Sequence, residues 1–119
     1  MMRAALIACL LCPALTARAD IPVVEGATAI RDGAGWRFSV TLSHPDTGWD
    51  HYADGWRVVA EDGTVLATRE LLHPHVTEQP FTRSLGGVAL QEGIKRVGIQ
   101  ARCNRDGWGK VGFWLDLGE

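Results

Sequence analysis

The sequence predicts a small all-β protein, a single antiparallel β-sandwich of about seven strands, and three observations predict it. Apolar residues alternate with polar ones at period two in several stretches, and no stretch after residue 19 sustains a helical period. Asp-Gly and Gly-rich turns punctuate those stretches at short intervals. The chain has 119 residues, of which the first nineteen read as a removable signal, leaving 100 for one domain of ordinary size.

The signal comes first. Arg3 supplies a positive n-region, an apolar run extends from Ala4 to Leu15, and Ala17 and Ala19 are small residues at positions −3 and −1 of a cut before Asp20. The run is too short to span a bilayer, which takes about 20 apolar residues. A buried N-terminal helix is the structural alternative. Leu6-Ile7-Ala8-Cys9 has some lipobox character, but a cut there leaves too short an apolar core. The expectation is therefore residues 1–19 as a cleaved secretory signal, 20–119 as the β-sandwich domain, and a periplasmic or secreted location.

The strands follow in order. The first is expected over about 23–30. The second, 35–43, sets Trp36, Phe38, Val40 and Leu42 against Arg37, Ser39, Thr41 and Ser43. The third and fourth, 55–60 and 64–71, flank Glu61-Asp62-Gly63. The fifth, 81–90, carries Gly86-Gly87, where an interruption is expected. The sixth, 95–103, sets Val97, Ile99, Ala101 and Cys103 against Arg96, Gly98, Gln100 and Arg102. The seventh, 110–117, sets Val111, Phe113, Leu115 and Leu117 against Gly112, Trp114 and Asp116. Successive strand side chains point to opposite faces, so each alternating set marks a half-buried strand.

Composition excludes some partners. Removing Arg3 and Arg18 with the signal takes 12 basic residues against 14 acidic to ten against fourteen. A mature net charge near −4 has no basic patch to offer nucleic acid, and no membrane insertion of the mature form is expected. Cys9 and Cys12 leave with the signal, so Cys103 remains alone and no internal disulfide can form. Its inward parity reads as an inert packing residue. An intermolecular disulfide and a metal ligand are the alternatives.

Chemistry concentrates in one set of connections. If the chain is an alternating meander, the connections after strands two, four and six lie at one end. They are 44–54, 73–80 and 104–109, and they hold all four histidines, Trp49, Trp108 and the one tyrosine, Tyr52. Loops on a rigid scaffold are where binding function usually sits. His73 and His75 straddle Pro74, so in an extended segment both imidazoles can face one way. With His51 and Glu78 they form a candidate metal site, with Asp50 and His44 further out, suited to Cu²⁺ or Zn²⁺. The plain alternative is that His73 and His75 hydrogen-bond a proline-braced loop.

A second reading makes Trp49, Tyr52, Asp106 and Trp108 a surface for a protein, such as a periplasmic partner, or a glycan. Its plain alternative has Trp36 and Trp56 in the core and Trp49 and Trp108 capping the open end. Catalysis is not expected. No Gly-x-Ser-x-Gly elbow, His-Glu-x-x-His helix or glycine-rich phosphate loop is present, and nothing marks Ser84 as activated. Arg83 is expected to pair with Glu78 or Glu70.

Strand order and loop placement over nearly the whole mature chain resemble fibronectin type III and immunoglobulin-like sandwiches, which implies a fold and no activity. Two segments, Gly48-Trp49-Asp50-His51-Tyr52-Ala53-Asp54-Gly55-Trp56 and Leu72-His73-Pro74-His75-Val76-Thr77-Glu78-Gln79-Pro80-Phe81-Thr82-Arg83-Ser84-Leu85, are similar to small exported bacterial proteins of unassigned activity. That resemblance implies export and domain extent. The functional expectation is thus an exported, non-enzymatic binding or accessory module with a three-loop site.

Overall fold

The computed structural model describes residues 20–118, so the expected signal peptide and the lipobox alternative lie outside the described residues. The described chain is all-β, with two antiparallel sheets. Its strands are β1 (Val23–Asp32), β2 (Gly35–Ser43), β3 (Ala53–Val59), β4 (Val65–Glu70), β5 (Phe81–Val88), β6 (Arg96–Cys103), β7 (Gly107–Trp108) and β8 (Phe113–Asp116). Seven match the expected runs. The eighth, β7, is a two-residue strand inside what the sequence suggests is a loop; it pairs Trp108 with Arg102 and Gly107 with Cys103.

The sheets are β1-β2-β5 and β4-β3-β6-β7, with β8 also paired to β6. The chain is therefore not a meander. It changes sheet after β2, after β4 and after β5. Alternation still sets the faces. In β2, Phe38, Val40 and Leu42 are buried while Arg37 is exposed; in β6, Val97, Ile99, Ala101 and Cys103 are buried. The core joins Val24, Phe38, Val40, Leu42 and Phe81 of one sheet to Trp56, Val58, Val97, Ile99 and Ala101 of the other. Burying apolar surface from two inner faces is what makes the pair of sheets a sandwich.

Glycine appears where the chain needs it. At Gly86-Gly87 the strand is not interrupted as expected but bulged: Val88 pairs with Trp36 and Leu85 with Phe38, three residues against two. Gly87 adopts φ 66°, a left-handed conformation that a side chain would strain. At Gly98 an added Cβ would stand 2.8 Å from Val111 and 3.1 Å from Trp114, so the missing side chain lets the β8 connection lie flat on β6.

The tryptophans divide by position. Trp56 is wholly buried, as expected for a core residue, whereas Trp36 is only half-buried with the Arg31 guanidinium 5.3 Å from its ring. Trp114 is 40% exposed under Arg96. Truncating Phe38, wholly buried, to Ala should lower stability by about 3–5 kcal/mol. Truncating the larger but exposed Trp114 should lower it by about 1 kcal/mol or less. Urea unfolding midpoints of the two variants check the contrast.

Candidate functional site

The three loops meet at one end, and a buried carboxylate joins them. Asp46 lies on the β2–β3 loop. Its Oδ1 accepts from His44 Nδ1 at 2.6 Å and from the Ala53 backbone N at 2.9 Å. Its Oδ2 accepts from the His75 backbone N at 2.8 Å, which ties the β4–β5 loop to the β2–β3 loop. Gln79 adds a second tie, accepting from His44 N and donating to His75 O. The loop after β6 joins through Asn104, which accepts from Tyr52 N and donates to Trp49 O. The expected clustering thus holds although the chain is not a meander, because the antiparallel strands keep these three connections together.

His44 is buried, and both of its ring nitrogens face oxygen: Nδ1 faces Asp46, and Nε2 donates to the Asp20 carbonyl at 2.8 Å. His51 stands edge-on to it, with ring centroids 4.8 Å apart at 86°. Beyond His51 lies Cys103, its Sγ 3.7 Å from His51 Nε2. Ligand atoms of His44, His51 and Cys103 all lie within 4.8 Å of one another. Among the described residues this is the set of three that converges.

Two acidic residues flank the set. Asp106 Oδ2 is 3.3 Å from Cys103 Sγ and 4.0 Å from His51 Nε2. Asp20 Oδ2 is 3.9 Å from His44 Nε2 and 4.0 Å from His51 Nε2. Burial pushes the Cys103 thiol above its ordinary range, so the free site carries S–H, which donates to Asp106. Asp106 is held low by the backbone N–H of Asp20 and by that thiol.

The sequence-predicted residues fall into separate places. His51 belongs to the converging set; His73, His75 and Glu78 do not. His73 is exposed, its Nδ1 donating to the Pro74 carbonyl at 3.1 Å. His75 is buried, stacked on Phe81 with centroids 3.9 Å apart, and its Nδ1 accepts from Arg83 at 3.4 Å. Glu78 pairs with Arg83 at 3.4 Å, and Glu70 goes instead to Arg102 at 2.7 Å. The two rings of the His-Pro-His segment do lie together, 4.5 Å apart, but as packing and hydrogen-bonding groups. Asp50 reaches outward to Arg105.

The aromatic residues also separate. Trp49 is 66% exposed and packs edge-on against Tyr52 at 5.6 Å, so it does not cap the core. Trp108 is half-buried on the outer sheet face, with Arg57 and Arg102 guanidinium carbons 4.0 and 4.8 Å from its ring. Asp106 sits with Cys103 rather than with either aromatic.

Cys103 is buried as expected, and its sulfur accepts from Asp106 N at 3.3 Å and faces His51. The thiol has no surface exposed to a second chain in this structure. Ser84 shares a hydrogen bond with Ser39 at 2.8 Å across β2 and β5, an ordinary cross-strand pair.

Fold and site together define a two-sheet all-β domain whose loop end gathers two histidines and a cysteine. In sequence it is similar to a protein of Halomicrobium mukohataei described as "Putative lipoprotein", 41% identical over 94 residues. The match covers 79% of this chain and 46% of the relative, so the chain spans about half the length of the curated relative it matches. No protein-family description matches the chain, and no solved structure matches it.

Burial lowers the His75 imidazole below its ordinary value of 6.5, and the Arg83 charge adds to the effect. The unfolded chain therefore binds this proton more readily. Stability from His75 is complete above about pH 6.5 and is lost as pH falls through the lower folded-state value. Melting temperatures measured from pH 7.5 downward should fall in the native chain. They should fall less steeply in His75→Gln, which has no such proton to bind.

Proposed function

We propose that this chain is an exported, non-enzymatic binding module whose three-loop end holds a divalent transition metal through His44 Nε2, His51 Nε2 and Cys103 Sγ. The observation that carries the reading is their convergence within 4.8 Å, outside the histidine pair that sequence spacing favours. Tetrahedral bonds of about 2.1 Å to nitrogen and 2.3 Å to sulfur separate those ligands by about 3.6 Å. The His51 Nε2 to Cys103 Sγ distance of 3.7 Å already matches. The Nδ1–Asp46 bond on the far side of His44 is the carboxylate–histidine arrangement that orients metal-bound imidazoles. Binding would strip the proton from the thiol and from His44 Nε2, whose hydrogen bond to the Asp20 carbonyl would give way to the metal.

Two imidazoles and one thiolate suit Zn²⁺ in a tetrahedral site or Cu²⁺ in a trigonal one. Export is supported by the expected signal sequence and by the lipoprotein description of the relative, which also favours the cell envelope. The same support favours a periplasmic or secreted location. The partition into β1-β2-β5 and β4-β3-β6 with β8 supports a fibronectin type III-like or immunoglobulin-like sandwich.

A second reading rests on Trp49. An indole 66% exposed and braced by Tyr52 and Asn104 suits a protein or glycan contact without metal. Calorimetric titration of the mature protein with Zn²⁺ and Cu²⁺ separates the readings. We expect one site per chain, lost in His51→Ala and Cys103→Ser and kept in the His73→Ala, His75→Ala double variant. Binding that survives the first two and disappears in the double variant would move the site to the His-Pro-His loop. No binding at all would leave the Trp49 surface.

A further inference from the structure

Asp20 is the residue that follows Ala17-Arg18-Ala19, and its polar functions all turn toward the His44–His51–Cys103 group. Its backbone N donates to Asp106 Oδ2 at 3.0 Å. Its carbonyl accepts from His44 Nε2 at 2.8 Å, and its carboxylate lies 3.9 and 4.0 Å from the two Nε2 atoms. The next two residues hold it in place. Pro22 is buried, and Ile21 fills the space that a Cβ on Gly109 would occupy. The first residues of a domain are ordinarily loose unless tied down. Here each polar tie ends within one group of ligand-type side chains.

We propose that Asp20 is the mature amino terminus and that its α-amine and carboxylate complete the metal centre as a chelating arm, so that signal removal assembles the site. The proposal rests on the reading of His44, His51 and Cys103 as ligands. Before the cut, the nitrogen of Asp20 is an amide whose lone pair is shared with the carbonyl, so it donates a hydrogen bond but ligates poorly. Hydrolysis of the Ala19–Asp20 bond consumes one water. Ala19 gains the carboxylate, and Asp20 gains a primary amine with a lone pair of its own once a proton leaves to solvent. Amine nitrogen and aspartate oxygen then close a chelate ring on a cation that two imidazoles and a thiolate already hold, expanding it from a tetrahedral to a five-coordinate site. Asp106, which accepts from that nitrogen, remains as the outer carboxylate that orients the amine.

The test begins with the exported protein itself. Intact mass should place its first residue at Asp20; a chain beginning at an acylated Cys9, or cut elsewhere, overturns the proposal. Zn²⁺ affinity is then compared between chains beginning at Asp20 and at Ala19, with His51→Ala in the Asp20 chain as the third arm. Moving the amine one residue along should weaken Zn²⁺ binding about tenfold or more. Equal affinity in the Ala19 chain, with binding lost in His51→Ala, overturns the chelating arm and leaves the three side-chain ligands standing. Absence of Zn²⁺ binding in the Asp20 chain overturns both.

Discussion

The Asp46 carboxylate is the interaction on which the loop end depends. Three donors from two loops and the start of β3 converge on its two oxygens, at 2.6, 2.9 and 2.8 Å, with no side-chain surface left to water. A buried carboxylate is tolerated only when such partners replace its hydration. The same carboxylate fixes the His44 ring by Nδ1 and so decides which ring nitrogen faces Asp20 and His51. Loop closure, imidazole orientation and the position of Asp20 are one network rather than three features.

That network explains why the two histidine groups behave differently. His75 is reached by Asp46 only through its backbone, which leaves the ring free to stack on Phe81 beneath Arg83. Around it stand the Arg83 guanidinium, the Phe81 and His73 rings and, 3.9 Å away, the exposed Glu78 carboxylate, and burial favours a neutral packed ring. His44 and His51 instead face a thiol and the carboxylates of Asp20, Asp46 and Asp106. Oxygen and sulfur donors gathered around two imidazoles are the arrangement on which the proposed metal site rests; a guanidinium beside an imidazole repels a cation.

Much of the fold was legible because a half-buried strand writes its two faces into alternate residues. Phe38-Ser39-Val40-Thr41-Leu42 and Val97 to Cys103 could be read directly, and the Asp-Gly turns set their ends. Two residues, Gly107 and Trp108, are too few to show a period, so β7 was hidden. Gly86-Gly87 announced an irregularity but not whether the strand would stop or bulge. Sheet changes after β2, β4 and β5 leave no local mark, since they depend on which faces find each other. The site was legible only to the level of its loops. His73 and His75 stood out because their spacing is visible in one short segment, whereas His44 and His51 stand at opposite ends of one loop and Cys103 at a distant strand end. One signal was present: His44 and Asp46, two apart around Pro45, repeat the spacing of His73 and His75 with an acid in place of the second imidazole. Cys103 gave a second, as the last inward residue of β6 with Asp106 three positions on.

The central claim is that sulfur and imidazole meet on one ion at this end of the sandwich. X-ray absorption at the zinc edge of the Zn²⁺-loaded mature protein tests it most directly. The account predicts one sulfur neighbour at about 2.3 Å beside nitrogen or oxygen neighbours at about 2.0–2.1 Å. A shell of nitrogen and oxygen alone, with no sulfur, would contradict it.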